Sequence, residues 1–303
     1  MKNSWKEYEA NQYINEYKLK KISKDLALRI YSTHLLGKNP ELVLHGGGNT
    51  SVKSIAKDAF GKEKSVIYVK GSGWDMSNLN EIGMPGMYLD PLIKTLSLKK
   101  LSDEKMVNYL RSNLLDSNSP NPSVETLLHA YLPFKYVDHT HSNAILSLVN
   151  LNNSREILKK VFKDKVSIVP YVMPGFDLAK LCQKIISKNK KIEGLILLNH
   201  GIFSFGHTAK ESYNRMIKLV SLAENFINNR KKIIKFNNFK KKYNLNRIQL
   251  KIRNYFYLST GKKWIIRLNN NPDDIAFTNR KDLQSLFNKG PVTPDHVIRI
   301  KSS

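Results

Sequence analysis

Two histidines one residue apart, at the end of an apolar run, constrain this chain more than any other feature. They stand in Tyr136-Val137-Asp138-His139-Thr140-His141, with Ala144-Ile145-Leu146 shortly after. The apolar flanks predict an extended, half-buried segment. Side chains two apart on a strand share a face, so His139 and His141 converge while Asp138 and Thr140 point away. Converging imidazoles suit a divalent metal. A catalytic zinc takes three protein ligands and keeps a fourth position open. His200 is the candidate third ligand. It ends Gly194-Leu195-Ile196-Leu197-Leu198-Asn199-His200-Gly201, which reads as a central strand running into a turn. An isolated H-x-H pair arises often by chance, so the weight rests on the three histidines and a carboxylate together.

That carboxylate is Glu125. Asn121-Pro122-Ser123-Val124-Glu125 has helix-start chemistry, with Asn121 as N-cap and Pro122 at the first helical position. Val124, Leu127, Leu128, Tyr131 and Leu132 then form a core-facing stripe, and Glu125 lies off it in the first turn. An acidic residue there is ordinarily explained by the helix dipole. Near a metal it becomes a candidate general acid/base, its pKa set by burial and the cation. His129 shares a helix face with Glu125. It is read as a support for the site, with an E-x-x-x-H ligand pair as the alternative.

Two glycine segments precede these motifs. They are Leu42-Val43-Leu44-His45-Gly46-Gly47-Gly48-Asn49-Thr50-Ser51 and Ser65-Val66-Ile67-Tyr68-Val69-Lys70-Gly71-Ser72-Gly73-Trp74. Each reads as an apolar strand entering a glycine turn. There bare N–H groups can approach an anion, with Asn49, Ser51 and Ser72 as added donors. Ser123, at the expected helix start, is a further anion position. The plainer reading of either segment alone is a tight turn. Two other readings fail. Gly71-Ser72-Gly73 lacks the third glycine of a dinucleotide fingerprint, because Met76 stands there. His45-Gly46-Gly47-Gly48 resembles an esterase oxyanion loop, but the chain has no G-x-S-x-G elbow.

In order along the chain, H-G-G-G-N-T-S, V-K-G-S-G-W-D-M, N-P-S-V-E-T-L-L-H-A-Y-L-P, V-D-H-T-H and L-L-N-H-G-I-F-S-F-G resemble the class II aldolase/adducin family. More closely, the chain resembles the aldolase half of bifunctional rhamnulose-1-phosphate aldolase/short-chain alcohol dehydrogenase proteins. The likeness extends to Thr293-Pro294-Asp295-His296-Val297-Ile298-Arg299. It implies an α/β fold, a three-layer α/β/α sandwich around a mainly antiparallel sheet, with a small C-terminal α+β appendage. It also implies that His139, His141 and His200 bind Zn2+ or another divalent metal, and that Glu125 is the catalytic acid/base. Gly48, Asn49, Ser51, Gly71, Ser72, Gly73 and Ser123 match the family's substrate-phosphate positions. The family uses a tyrosine from a neighbouring subunit, which no position here identifies.

The activity this implies is cleavage of a ketose 1-phosphate, rhamnulose-1-phosphate-like, to dihydroxyacetone phosphate and a small aldehyde such as lactaldehyde. The metal would stabilise the charge left beside the carbonyl, Glu125 would move the proton, and the glycine loops would hold the phosphate. Sugar-phosphate epimerases and dehydratases share the scaffold, and adducin-like proteins use it as a binding module without catalysis. Glu125 favours an aldolase or dehydratase over an epimerase, on resemblance only. Retention of all three histidines and Glu125 argues against the binding module. The resemblance further implies a homo-oligomer, a tetramer in the family. With no complete G-x-G-x-x-G present, the oxidoreductase activity is not carried over to this chain, and a dehydrogenase is expected as a separate partner or not at all.

Composition adds limits. The single cysteine, Cys182, excludes an intrachain disulfide and fits a reducing, cytoplasmic setting. Met1–Glu7 is too polar for a signal peptide, and no apolar run is long enough to span a membrane. The formal net charge is +25. Its densest stretch, 230–247, reads as the solvated end of a helix and a linker. Nucleic acid is not the expected partner; a positive field would also attract a phosphorylated substrate. Residues 1–38 read as helical, with Leu26, Ile30 and His34 in one stripe. The domain carrying the motifs is expected over 1–244 and the appendage over 245–303. Within the appendage, helices are expected near 248–256 and 280–287, and a strand over 264–268.

Overall fold

The computed structural model describes residues 1–189, 191–230, 244–269 and 271–299. Its described residues fall into two compact units. One is Met1–Arg230 together with the segment that begins at Val292; the other runs to Pro291.

The first unit opens with helices α1 (Glu7–Leu19) and α2 (Lys24–Gly37). The Ser23 hydroxyl accepts the Leu26 N–H at 3.3 Å and so caps α2. Leu26 and Ile30 are buried on α2, and His34 is half-buried beside them. Strands β1 (Asn49–Lys57), β2 (Glu63–Val69) and β3 (Gly86–Tyr88) follow, then α3 (Leu89–Lys94), α4 (Asp103–Ser112) and α5 (Thr126–Tyr131). Next come β4 (Tyr136–Thr140), α6 (Asn143–Val149), α7 (Ser154–Phe162), β5 (Val166–Val169) and α8 (Phe176–Lys188). The sheet ends with β6 (Gly194–Leu197) and β7 (Gly201–Gly206), covered by α9 (Ala209–Asn228).

These strands form one seven-stranded sheet in the order β3-β2-β1-β4-β7-β6-β5. All neighbours are antiparallel except β5 and β6. Period-two alternation divides the core. Val137, Leu195, Leu197, Phe203 and Phe205 face one way, against Leu127 and Leu128 of α5 and Phe176 and Leu178 of α8. Ile196 and Ile202 face the other way, against Ile145 of α6 and Met216, Leu219 and Val220 of α9. The result is a mixed α/β fold with helices on both faces of a mainly antiparallel sheet, as expected.

Four local expectations change. No strand enters the first glycine turn: residues 42–44 are turn and loop, and β1 begins after the glycines, at Asn49. The segment after His141 is not extended, because Ala144-Ile145-Leu146 lie in α6. Asn121 does not cap a helix and Pro122 is not in one. The helix begins at Thr126, with Glu125 at its cap position. The Ser123 hydroxyl accepts the Glu125 N–H at 3.2 Å and its carbonyl accepts the Thr126 N–H at 3.0 Å. That local serine turn displaces the start.

In the second unit, α10 (Leu245–Thr260), α11 (Pro272–Thr278) and α12 (Leu283–Phe287) are helical. Residues 264–268, expected as a strand, run without strand pairing. Most of the basic stretch, 231–243, lies outside the described residues. Among the described residues, no helix is long and apolar enough to cross a membrane.

Candidate metal centre

Strand β4 lies at the middle of the sheet and is buried along its whole length. His139 sits on the face that packs against α5 and α8, its ring stacked on Phe203 with centroids 4.0 Å apart. Asp138 and Thr140 take the opposite face. Asp138 pairs with Arg29 of α2 and accepts a 2.5 Å hydrogen bond from the Ser212 hydroxyl of α9. Thr140 points at Met216. His141 follows directly on β4. His200 lies in the tight turn between β6 and β7, where Asn199 adopts a left-handed φ of 56°.

The turn brings His200 to the other two. His139, His141 and His200 each offer a ring nitrogen, and these atoms all lie within 4.8 Å of one another. The three rings are buried. Gly201 keeps the approach clear: a Cβ there would meet the Thr140 carbonyl at 2.6 Å and the His139 ring at 3.2 Å.

Each nitrogen's partner bears on ligation. His139 Nδ1 lies 3.0 Å from the Ile202 carbonyl, and His141 Nδ1 lies 2.6 Å from Asp295 Oδ1. An N–H donated from Nδ1 leaves Nε2 with its lone pair. Nε2 of both His139 and His141 is buried without a hydrogen-bond partner among the described residues. Buried polar atoms are ordinarily satisfied, so two such nitrogens side by side fit a cation between them.

Glu125 faces the same point. Its carboxylate oxygens lie 3.5 Å from His139 Nε2 and 3.4 Å from His200 Nε2. Burial alone would raise its pKa. The histidines around it and the Asn49 amide, which donates to Oε2 at 2.7 Å, outweigh burial and hold it down at about 2. Burial in turn lowers the pKa of His139 and His200, against the pull of Glu125. Near neutral pH the site therefore combines neutral imidazoles at His139 and His200 with an ionised carboxylate.

The expected phosphate positions separate into two groups. Asn49 and Ser51, expected as donors to an anion, have their side chains engaged. The Asn49 amide also donates to the Ser123 hydroxyl at 3.2 Å, and its carbonyl faces His129 Nε2. The Ser51 hydroxyl lies 2.8 Å from His129 Nδ1. His129 thus joins Asn49 to Ser51 beneath Glu125, and both its ring nitrogens are taken up. Ser123 is buried in the turn before α5 instead of at a helix N-terminus. Gly48, with φ +58°, passes so close to β4 that a Cβ would meet the His139 carbonyl at 2.7 Å. Gly71 is buried, while Ser72 and Gly73 are exposed at the second loop, where Gly73 has open space around it.

Three residues outside the expected set shape the centre. Arg29 is fully buried and donates toward the Ser51 and Val137 carbonyls as well as pairing with Asp138. Lys70 is buried too. Its ammonium donates to the Gly46 carbonyl at 2.9 Å and the Trp74 carbonyl at 2.6 Å, joining the two glycine loops. Asp295 reaches His141 from the far end of the chain. A charge inside the apolar run Leu26-Ala27-Leu28-Arg29-Ile30 was a visible signal for Arg29. No local pattern marked the partners of the other two.

The sequence profile of the Class II Aldolase and Adducin N-terminal domain matches residues 29–227. The chain belongs to the class II aldolase and adducin family. A second profile, the second domain of class II aldolases, matches residues 244–303. The N-terminal class II aldolase domain of a conserved protein from Thermoplasma acidophilum is 40% identical with a TM-score of 0.66. The match covers 75% of this chain and 99% of that one. An aldolase II superfamily protein from Pseudomonas syringae shares the fold at 12% identity and a TM-score of 0.50, over 70% of this chain and 79% of that one. In sequence, the chain is 34% identical over 281 residues to the uncharacterized oxidoreductase YuxG of Bacillus subtilis. That match covers 90% of this chain but 40% of YuxG.

Proposed function

We propose that this chain is a metal-dependent aldehyde-lyase that cleaves a ketose 1-phosphate, rhamnulose-1-phosphate-like, to dihydroxyacetone phosphate and a small aldehyde. The observation that carries the reading is the buried Glu125 carboxylate, set 3.4–3.5 Å from two of three converging imidazoles. A divalent cation held by His139, His141 and His200, zinc in the first instance, supplies Lewis-acid stabilisation of negative charge at the substrate carbonyl.

The remaining work falls to the protein. In the cleavage direction the hydroxyl on the carbon that becomes the aldehyde gives up its proton to Glu125 as the carbon–carbon bond breaks, and Glu125 returns that proton to the carbon left next to the carbonyl; condensation runs the same steps in reverse. The low pKa of Glu125 keeps it unprotonated and ready to act as base at neutral pH. Asn49 holds Oε2, the oxygen nearest His139, and leaves Oε1 beside His200 without a hydrogen-bond partner among the described residues. His129 fixes Asn49 in turn. The exposed Ser72 and Gly73, in a loop braced by Lys70, supply donors to the substrate phosphate. In this reading the enzyme works as a homo-oligomer.

The test is metal analysis followed by an assay for dihydroxyacetone phosphate release from ketose 1-phosphates. Bound zinc with cleavage is expected. Metal with an isomerised or dehydrated product would instead identify an epimerase or dehydratase. No metal and no cleavage would leave an adducin-like binding module.

A further inference from the structure

We infer that Asp295 is a positioning residue for the metal centre, and that residues 292–299, the far end of the described chain, are part of that centre. This rests on the metal reading above. Asp295 is 2% exposed, and its two oxygens have separate duties. Oδ1 lies 2.6 Å from His141 Nδ1, while Oδ2 accepts the Leu44 N–H at 2.8 Å. The carboxylate is thus fixed at one end by the backbone entering the first glycine loop. At the other end it fixes an imidazole 154 residues away in sequence.

The loop is shaped for this carboxylate. A Cβ on Gly47 would come within 1.5 Å of Asp295 Oδ1, so any larger residue at position 47 and the Asp295 side chain exclude one another. Gly47 does not have a positive φ, so the glycine is required by space and not by backbone conformation. The segment has further attachments. The Asn150 amide donates to the Val292 carbonyl at 3.3 Å. The Thr293 hydroxyl accepts the His296 N–H at 3.2 Å, opening helix α13 (Pro294–Arg299) with Pro294 at its first position. The His45 and His296 rings meet edge to face at 6.3 Å.

The two β4 histidines are therefore oriented by different means. His139 uses a backbone carbonyl inside the sheet, and His141, just past the strand end, uses a carboxylate delivered from the chain's other end. A carboxylate on Nδ1 fixes the tautomer, holds the ring plane and raises the basicity of Nε2 toward a metal. Removing such a partner costs roughly 10–100-fold in metal affinity.

The experiment measures Zn2+ affinity by chelator competition, and the visible spectrum of the Co2+-loaded protein, in full-length wild type, Asp295→Asn, Asp295→Ala and Gly47→Ala. Asp295→Ala should bind Zn2+ roughly 10–100-fold more weakly and alter the Co2+ bands. Asp295→Asn keeps an acceptor for His141 and should recover part of the loss. Gly47→Ala leaves the carboxylate chemically intact but displaces it, and should reproduce the loss. The double variant Gly47→Ala/Asp295→Ala should be no worse than Asp295→Ala alone, because both remove one interaction. Affinity within about twofold of wild type in folded Asp295→Ala and Gly47→Ala would overturn the inference while leaving the metal reading intact. A wild type that binds no Zn2+ would overturn both.

Discussion

The two faces of strand β4 are buried to the same depth but put their polar groups to opposite uses. On one face, Asp138 meets Arg29 and the Ser212 hydroxyl, charge against charge, with helices α2 and α9 closing over them. On the other, Glu125 and three imidazoles crowd together with Nε2 of His139 and His141 lacking a hydrogen-bond partner among the described residues. Burial alone therefore does not distinguish a structural polar group from a functional one; the pairing does. The first face pairs its charge without a ligand, although Arg29 Nε and Asp138 Oδ1 have no hydrogen-bond partner among the described residues, and in that sense is the complete face; the second leaves converging imidazole nitrogens unmatched and is the incomplete one. Substituting the charge on each side should separate stability from turnover.

The largest effect is expected on the incomplete face. Glu125→Gln keeps the shape and an acceptor for the Asn49 amide but removes the base. Turnover should fall by about 10²–10⁴-fold, the usual worth of a positioned proton-transfer group, while metal content stays intact. Unchanged turnover would remove Glu125 from the mechanism.

On the complete face the outcome should invert. Arg29→Met leaves Asp138 as an unpaired buried charge, which costs about 3–5 kcal/mol of stability. Burial already favours the protonated Asp138 carboxyl, against Arg29 and Ser212. Without Arg29 that balance moves further toward the neutral acid. Denaturant unfolding should report the loss, while Zn2+ content of the folded fraction stays at the wild-type level. Loss of metal without loss of stability would mean that the two faces are not separable.

Sequence reading reached the incomplete face because its chemistry is local. The D-H-T-H spacing states which side chains share a face, and the apolar run before His200 states where a strand ends. Glu125 was legible as a residue type but not in its setting. The expected N-cap at Asn121 lost to the serine turn at Ser123, which holds back the start of α5 until Thr126. The first glycine segment precedes its strand instead of ending one. The complete face was nearly invisible. Arg29 and Asp138 lie 109 positions apart by their numbering, and no period connects them. Asp295 is the extreme case: Thr-Pro-Asp can be read as a helix start, but nothing local says that its carboxylate meets His141. Residues 264–268 show the converse error, since an apolar, β-branched run becomes a strand only when a partner strand accepts it.

Lys70 tests whether the glycine loops belong with the complete or the incomplete face. Its ammonium is satisfied by loop carbonyls, as a structural group would be, yet the loops it joins flank the candidate phosphate position. Lys70→Met leaves those carbonyls without their charged donor, a loss of about 1.5–3 kcal/mol. If the loops serve the substrate, KM for a ketose 1-phosphate should rise while Zn2+ affinity stays constant. A fall in kcat with unchanged KM would place the loops with the proton-transfer machinery instead.

His129 offers the finest test, because it lies on the incomplete face but is satisfied at both ring nitrogens, by Ser51 and Asn49. Burial lowers its pKa to about 3, helped by Arg29 and Lys53 and opposed by Glu125. The unfolded chain therefore binds a proton at this ring below about pH 6.5, and the folded protein does not until about pH 3. Stability should rise with pH across that window, and acid should remove up to about 1.4 kcal/mol per pH unit for this one group. The comparison is metal-free wild type against His129→Asn, by melting temperature at pH 7.5 and pH 5. The variant should start lower at pH 7.5, having lost two buried hydrogen bonds, but fall less on acidification. Parallel curves would mean that the acid sensitivity belongs to His139 and His200, whose pKa values burial also lowers. His129 would then count, like Asp138, as a group whose surroundings leave it nothing to gain from a ligand.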